Sequence, residues 1–202
     1  PFCLPYTGGT LPVEGWKLPN FSVEDSVFEA AAARFGTPLY LYDERGIRAA
    51  ARALNAAFAW NRGFREYYAV KALPNPAVLR VLMEEGCGLD CSSKVELLLA
   101  QKVGAKGNDV MFSANAMPPA ELGLAYGMGA LVNLDDESDV GTLLGFGAPE
   151  VVSLRVNPGG AGGNQFMGGG QDAKFGWMPA QLEGGLRALQ AAGVRRFGLH
   201  AM

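Results

Sequence analysis

The chain has 202 residues, 49% of them hydrophobic, a mean hydropathy of +0.09 and a formal net charge of -3. That is enough apolar material for a folded domain with a sizeable core, and it excludes a disordered chain. Acidic and basic residues are interspersed, so no basic stripe points to nucleic acid and no charged tail to another macromolecule.

No apolar run approaches the roughly 18–20 residues needed to cross a bilayer, and the N-terminus lacks a basic-then-apolar leader pattern. The three cysteines, Cys3, Cys87 and Cys91, have no zinc-like spacing, so no metal site is expected. Cys87 and Cys91 fall in a buried strand segment and read as reduced thiols, in the core or lining a site, which suits a cytoplasmic protein. The chain starts at Pro1 and stops at Met202 inside a predicted strand, so a piece of a longer parent is expected.

Residues 1–20 are rich in Pro and Gly and predict an irregular lead-in. Ser22, Glu24 and Asp25 then open a helix through Phe28, Ala32 and Phe35 that stops at Gly36. Pro38 predicts a short strand over Leu39–Tyr42. From Asp43 a helical face carries Ile47, Ala51, Leu54 and Phe58. Strand Tyr67–Val70 and a helix with Val78, Leu79 and Leu82 follow. Next come a strand at Leu89–Cys91 and a helix with Val95, Leu98, Leu99 and Val103. The alternation continues through strand Asp109–Ser113, a helix near Glu121–Tyr126, strand Leu131–Leu134, helix Glu137–Phe146 and strand Val151–Val156. A Gly-rich segment, a helix over Ala180–Ala191 and a last strand at Phe197–Leu199 complete it.

Six strands alternating with helices, most of them read as apolar on both faces, predict a parallel α/β sheet. The unit recurs about every 20–23 residues, which suits a βα (TIM) barrel better than a Rossmann sheet. A barrel needs eight such units, so either the sheet is open or the barrel is incomplete.

In a βα barrel the chemistry sits at the strand ends. They supply Lys71, Asp90 with Ser92 and Ser93, Ser113 with Asn115, Asn133 with Asp135, Arg155 with Asn157, and His200. Lys71 is the sharpest candidate. A lysine half-buried at a strand end has its ammonium disfavoured by desolvation, leaving a neutral amine able to attack a carbonyl. From position alone, a lysine whose head reaches solvent is the commoner reading. The glycines between Pro158 and Gln171 match neither a P-loop nor a dinucleotide fingerprint.

The run Tyr68-Ala69-Val70-Lys71-Ala72, with Pro74-Asn75, resembles the cofactor-lysine motif of fold-type III pyridoxal phosphate (PLP) enzymes, and among these diaminopimelate decarboxylase. The resemblance runs on in family order through Gly86–Ser93, Glu96-Leu97, Met111–Asn115, Asn133-Leu134-Asp135, Leu154–Gly159, Lys174-Phe175-Gly176 and Gly198–Ala201. One such motif is weak; the ordered set is specific.

The resemblance implies a PLP-binding βα barrel of the alanine racemase-like type over residues 43–202, with residues 1–42 joining a second β-domain. It implies pyridoxal 5'-phosphate as cofactor, with Lys71 as the catalytic residue that condenses with its aldehyde. Asp90 would support the lysine and the ring, and Arg155 would approach the ring or phosphate side. Lys174 would lie near a subunit interface, and Ser92, Ser93 and Asn115 are outer supporting candidates. His200 matches the first histidine of the family's His-x-His, while Met202 occupies the ring-stacking position of the second. His200 is therefore read as cofactor-adjacent or structural. The Gly-rich segment would be a loop by the mouth, and the phosphate-binding glycines would come later.

The implied activity is removal of carbon dioxide from meso-2,6-diaminopimelate to give L-lysine, in lysine biosynthesis. A cytoplasmic homodimer acting on a small-molecule amino acid, without nucleic acid or membrane, is the expectation, and the isolated piece would be unstable and inactive. Another fold-type III decarboxylase (of ornithine, arginine or carboxynorspermidine), an alanine-racemase-like protein, a non-catalytic PLP-binding protein and a cofactor-free half-barrel stay open as alternatives.

Overall fold

The computed structural model describes residues 23–157 and 175–201. The chain divides into two compact units, Pro1–Gly46 and Ile47–Met202. In the first, helix α1 spans Asp25–Phe35, and helix α2 (Glu44–Ala57) begins before the unit boundary. The strand expected at Leu39–Tyr42 does not form. A strand is held by a ladder of backbone bonds to a neighbour, and among the described residues nothing pairs with this segment. Tyr40 and Tyr42 stack on each other instead, with ring centroids 6.5 Å apart.

The second unit alternates strands and helices. The strands are β1 (Tyr67–Ala69), β2 (Gly88–Cys91), β3 (Val110–Ser113), β4 (Leu131–Leu134), β5 (Val151–Arg155) and β6 (Arg196–His200). Between them run α3 (Pro76–Glu84), α4 (Lys94–Lys102), α5 (Pro119–Gly127), α6 (Asp139–Phe146) and α7 (Pro179–Ala191). The helix starts follow local chemistry. Asn75 accepts from Ala77 N at 2.9 Å before Pro76, whose missing N–H costs nothing at the first helical position. Ser93 caps α4, while Glu96 reaches back to Ser92 N at 2.8 Å.

All six strands are parallel and hydrogen-bonded in sequence order, β1 to β6. A doubly wound sheet reverses its order at a switch point; this one does not, which is the winding of a βα barrel. The strands are not apolar on both faces, as read from the sequence. Leu89, Cys91, Val110, Phe112, Val132, Leu134, Val152 and Leu154 form one fully buried face under Leu79, Leu97, Leu122, Leu143 and Leu189 of the helices. The alternate positions carry Asp90, Ser113, Asn133, Ser153, Arg155 and His200. Each fully buried leucine contributes on the order of 1.5–3 kcal/mol of transfer free energy, so the helix-facing half of each strand drives folding. The other half is left for chemistry.

Trp177, 1% exposed, joins this core and donates its indole N–H to Leu134 O at 3.1 Å. Gly185 of α7 packs so closely on that indole that an added Cβ would collide with the ring, whereas one at Gly184 meets nothing within 4 Å. Alanine is favoured over glycine in a helix by about 1 kcal/mol, and overpacking costs about 1–3 kcal/mol. Gly184→Ala should therefore raise the denaturation midpoint and its neighbour Gly185→Ala lower it, as read by urea titration.

Candidate active site

Because the strands are parallel, their C-terminal ends lie at one side of the sheet. A cavity of about 200 Å³ opens there, lined by Lys71, Asp90, Ser113, Ala114, Asn115, Asn133, Asp135, Arg155 and His200. Thus the four residues singled out from sequence, Lys71, Asp90, Arg155 and His200, come together. Asn115, an outer candidate, lines the cavity too, whereas Ser92 and Ser93 do not; their hydroxyls bond Glu96 at the start of α4, at 3.1 Å each to Oε1. Lys174, Met202 and the glycines between Pro158 and Gln171 lie outside the described residues.

Lys71 sits in a 3-10 turn, Val70–Ala72, that takes over where β1 ends. It is exposed rather than half-buried as expected. The three-residue strand stops at Ala69, and the turn carries the side chain out to the rim. Burial is therefore not what would make this amine reactive.

Asp90 lies inside β2, its Oδ1 buried without a hydrogen-bond partner. Burial pushes its carboxyl up to about 6, while the Ser113 hydroxyl and the Lys71 charge pull it partly back. Arg155 is buried at the end of β5 and is fixed by two oxygens, Asp135 Oδ1 and Asn115 Oδ1, each 2.7 Å from its Nη1. The Phe175 ring faces the guanidinium, 5.2 Å from Cζ to the ring centroid. Asp135 Oδ2 also accepts from Gly176 N at 3.4 Å, and the left-handed backbone at Gly176 (φ +87°) lets the chain pass close over Arg155 O.

His200 ends β6 beside Arg155 in register. Burial and the Arg155 charge hold its imidazole below its ordinary value, with Asp135 opposing them weakly, so the neutral ring is favoured. Its Nδ1 lies 2.7 Å from Asn133 Nδ2. Cys91, next to Asp90 in sequence, faces the opposite side; burial pushes its thiol up to about 12, which makes it an inert core group. Sequence reasoning left three site features unassigned: the Asp135 clamp on Arg155, Phe175 over it and Asn133 against His200. The polar endings of β4 and β5 were the available signal.

Comparison with known proteins adds a family to this geometry. The family described as pyridoxal-dependent decarboxylase, pyridoxal binding domain, matches residues 44–201. The chain belongs to it.

Among curated relatives of this pyridoxal-binding domain, Protein TabA of Pseudomonas amygdali pv. tabaci is 44% identical over 169 residues, covering 83% of this chain and 40% of the relative. Diaminopimelate decarboxylase of Deinococcus radiodurans is 38% identical over 181 residues, covering 89% of this chain and 46% of the relative. The crystal structure of diaminopimelate decarboxylase from M. jannaschii in complex with L-lysine superposes with a TM-score of 0.72 at 25% identity, covering 85% of this chain and 43% of that one. The chain thus spans less than half the length of these proteins.

Pyridoxal phosphate is the cofactor of this family, and the donor set fits it. A carbonyl needs an amine, supplied at the rim by Lys71. An anionic group needs positive charge, supplied by Arg155. Asp90 Oδ1 and Asn133 Oδ1 are buried acceptors without partners, the state expected where a ligand's donors complete the site.

Two measurements probe this electrostatics. Asp90 holds its proton more tightly folded than unfolded, so its contribution to stability falls as pH rises from about 4 through about 6. Asp90→Asn should flatten that part of the stability–pH curve and be relatively most stabilising at neutral pH, as read by urea unfolding across the range. Removing one partner of a buried ion pair costs about 3–5 kcal/mol, so Asp135→Ala should destabilise strongly. Glu183→Ala, which breaks the exposed Arg187–Glu183 pair, should cost no more than about 1 kcal/mol in the same assay.

Proposed function

We propose that this chain is the pyridoxal phosphate-binding part of an amino-acid decarboxylase whose substrate is meso-2,6-diaminopimelate and whose product is L-lysine. The observation that carries the reading is the convergence of Lys71, Asp90, Arg155 and His200 on one cavity of a pyridoxal-binding domain. The diaminopimelate decarboxylase of Deinococcus radiodurans, at 38% identity, supports that substrate.

In this reading Lys71 is the residue that would hold the cofactor, its amine placed at the rim of the cavity to meet the aldehyde. Bound pyridoxal phosphate supplies the electron sink that takes up the electron pair left on the α-carbon when carbon dioxide departs. Asp90, whose carboxyl burial pushes up to about 6, lines the cavity with Lys71 and supports the lysine and the ring. Arg155, held from two sides by Asp135 and Asn115, keeps a fixed positive charge beside the ring or phosphate. His200 presents a neutral ring at the cofactor's edge.

Residues 43–202 would be most of a PLP-binding barrel, and residues 1–42 part of a second β-domain. The chain would act within a longer parent, a cytoplasmic homodimer, and have no turnover by itself. The longer parent is supported by the less-than-half coverage of the relatives.

The decisive experiment treats the parent with pyridoxal phosphate and borohydride and locates the pyridoxyl group by peptide mass spectrometry. The expected label is on Lys71; in Lys71→Ala it vanishes and turnover drops on the order of 10⁴-fold or more, the scale for loss of a covalent nucleophile. A label elsewhere would overturn the residue assignment. Release of carbon dioxide from ornithine, arginine or carboxynorspermidine but not from diaminopimelate would overturn the substrate.

A further inference from the structure

Asn133 is 2% exposed, on β4, and its amide is only half satisfied. Nδ2 lies 2.7 Å from His200 Nδ1, while Oδ1 is buried with no partner. Leaving a buried acceptor unmade costs about 1–3 kcal/mol, and an asparagine with a purely architectural role would bond through both ends. This one spends its donor on the chain's single histidine and leaves its acceptor unused in a side chain that lines the cavity.

The contact depends on an arrangement across three strands. β4 and β6 are separated by β5, so their backbones stand roughly 10 Å apart, two strand spacings. Asn133 is opposite Ser153, and Ser153 is opposite Gly198, two residues before His200 on the same face. Both intervening residues are small: even a methyl at Gly198 would come within 3.3 Å of Ser153 Cβ and Oγ. The low ground at Ser153 and Gly198 is what lets an amide from β4 reach an imidazole on β6.

We propose that Asn133 is a positioning residue that donates to His200 Nδ1 and so locks the imidazole as the tautomer carrying its proton on Nε2. An N–H donor at Nδ2 can bond only an unprotonated ring nitrogen, and the ring's proton then resides on the other one. Among the described residues nothing bonds Nε2, so the locked ring offers a single N–H donor to an acceptor on a ligand, such as a phenolic or phosphate oxygen. The charged groups that share the cavity with His200 are Arg155, Asp135, Asp90 and Lys71. Burial and Arg155 keep the ring neutral, which the tautomer requires. The identity of that acceptor rests on the cofactor reading above; the tautomer does not.

With one histidine in the sequence, a long-range ¹H–¹⁵N correlation spectrum of the ¹⁵N-labelled chain at about pH 8, where a neutral ring prevails, reports one imidazole. The expected pattern is a pyridine-like Nδ1 and a pyrrole-like Nε2 without averaging. Asn133→Asp replaces the donor by an acceptor and should invert the pattern, moving the proton to Nδ1; Asn133→Ala should leave an averaged mixture. If the isolated chain does not stay folded, the spectrum is taken on the parent, where His200→Gln assigns the signal by deleting it. An Nδ1-protonated or freely averaged ring in the wild type overturns the proposal, as does an Asn133→Ala ring that stays locked on Nε2–H. Pyridoxal phosphate affinity, read by fluorescence, should fall about tenfold in Asn133→Ala, or ~1.4 kcal/mol. A locked ring in a protein that does not bind pyridoxal phosphate would instead sink the cofactor reading and leave the role of Asn133 standing.

Discussion

The two-residue alternation of β-strands, imposed on five consecutive parallel strands, is the constraint from which the rest follows. In β2 it sends Leu89 and Cys91 to the helices and Asp90 to the other face; in β5 it does the same with Val152 and Leu154 against Arg155. Apolar burial on one side stabilises the sheet enough to tolerate buried polar groups on the other. Parallel pairing then carries those groups to a single rim, because every strand ends at the same side. Neither effect alone would make a site. Alternation without parallel order would scatter Asp90, Asn133 and Arg155, and parallel order without alternation would bury leucines where they stand.

That constraint also explains what can be read from the sequence. Periodicity and turn residues mark the six strands of the second unit and the helices between them, and the rim residues follow once the strands are known. Lys71 reads correctly as a rim residue but not as a half-buried one, since the 3-10 turn over Val70–Ala72 depends on where β1 stops pairing. The strand at Leu39–Tyr42 fails for a related reason: its residues suit a strand, but a strand exists only with a partner. Contacts across the sheet are least legible of all. Asn133 and His200 are 67 positions apart, and their meeting depends on Ser153 and Gly198 being small, a property of a third and a fourth residue.

The electrostatics of the cavity divides into fixed and adjustable parts. Arg155 is fixed: Asp135 and Asn115 hold one nitrogen of the guanidinium from two sides, so its position does not wait for a ligand. Desolvating such a pair is expensive, and a well-packed apolar pair would often be no less stable. Its presence at the rim is therefore better explained by the charge it presents than by stability. Asp90 is the adjustable part, a carboxyl near its titration point with one oxygen unpartnered. A group poised in this way can give or take a proton at little cost.

Alternation makes the site unforgiving in one further respect. A slip of one residue between paired strands would exchange their faces, sending Asp90 and Asn133 under the helices and Leu89 and Leu134 into the cavity. The penalty on each strand would be a buried, unpaired polar group together with an exposed leucine, and it would recur at every strand that slipped. The residues that give the cavity its chemistry thus also help to hold the strands in register. Polar groups on the inner face are not only tolerated by the fold; they exclude the alternative pairings that a sheet apolar on both faces would allow.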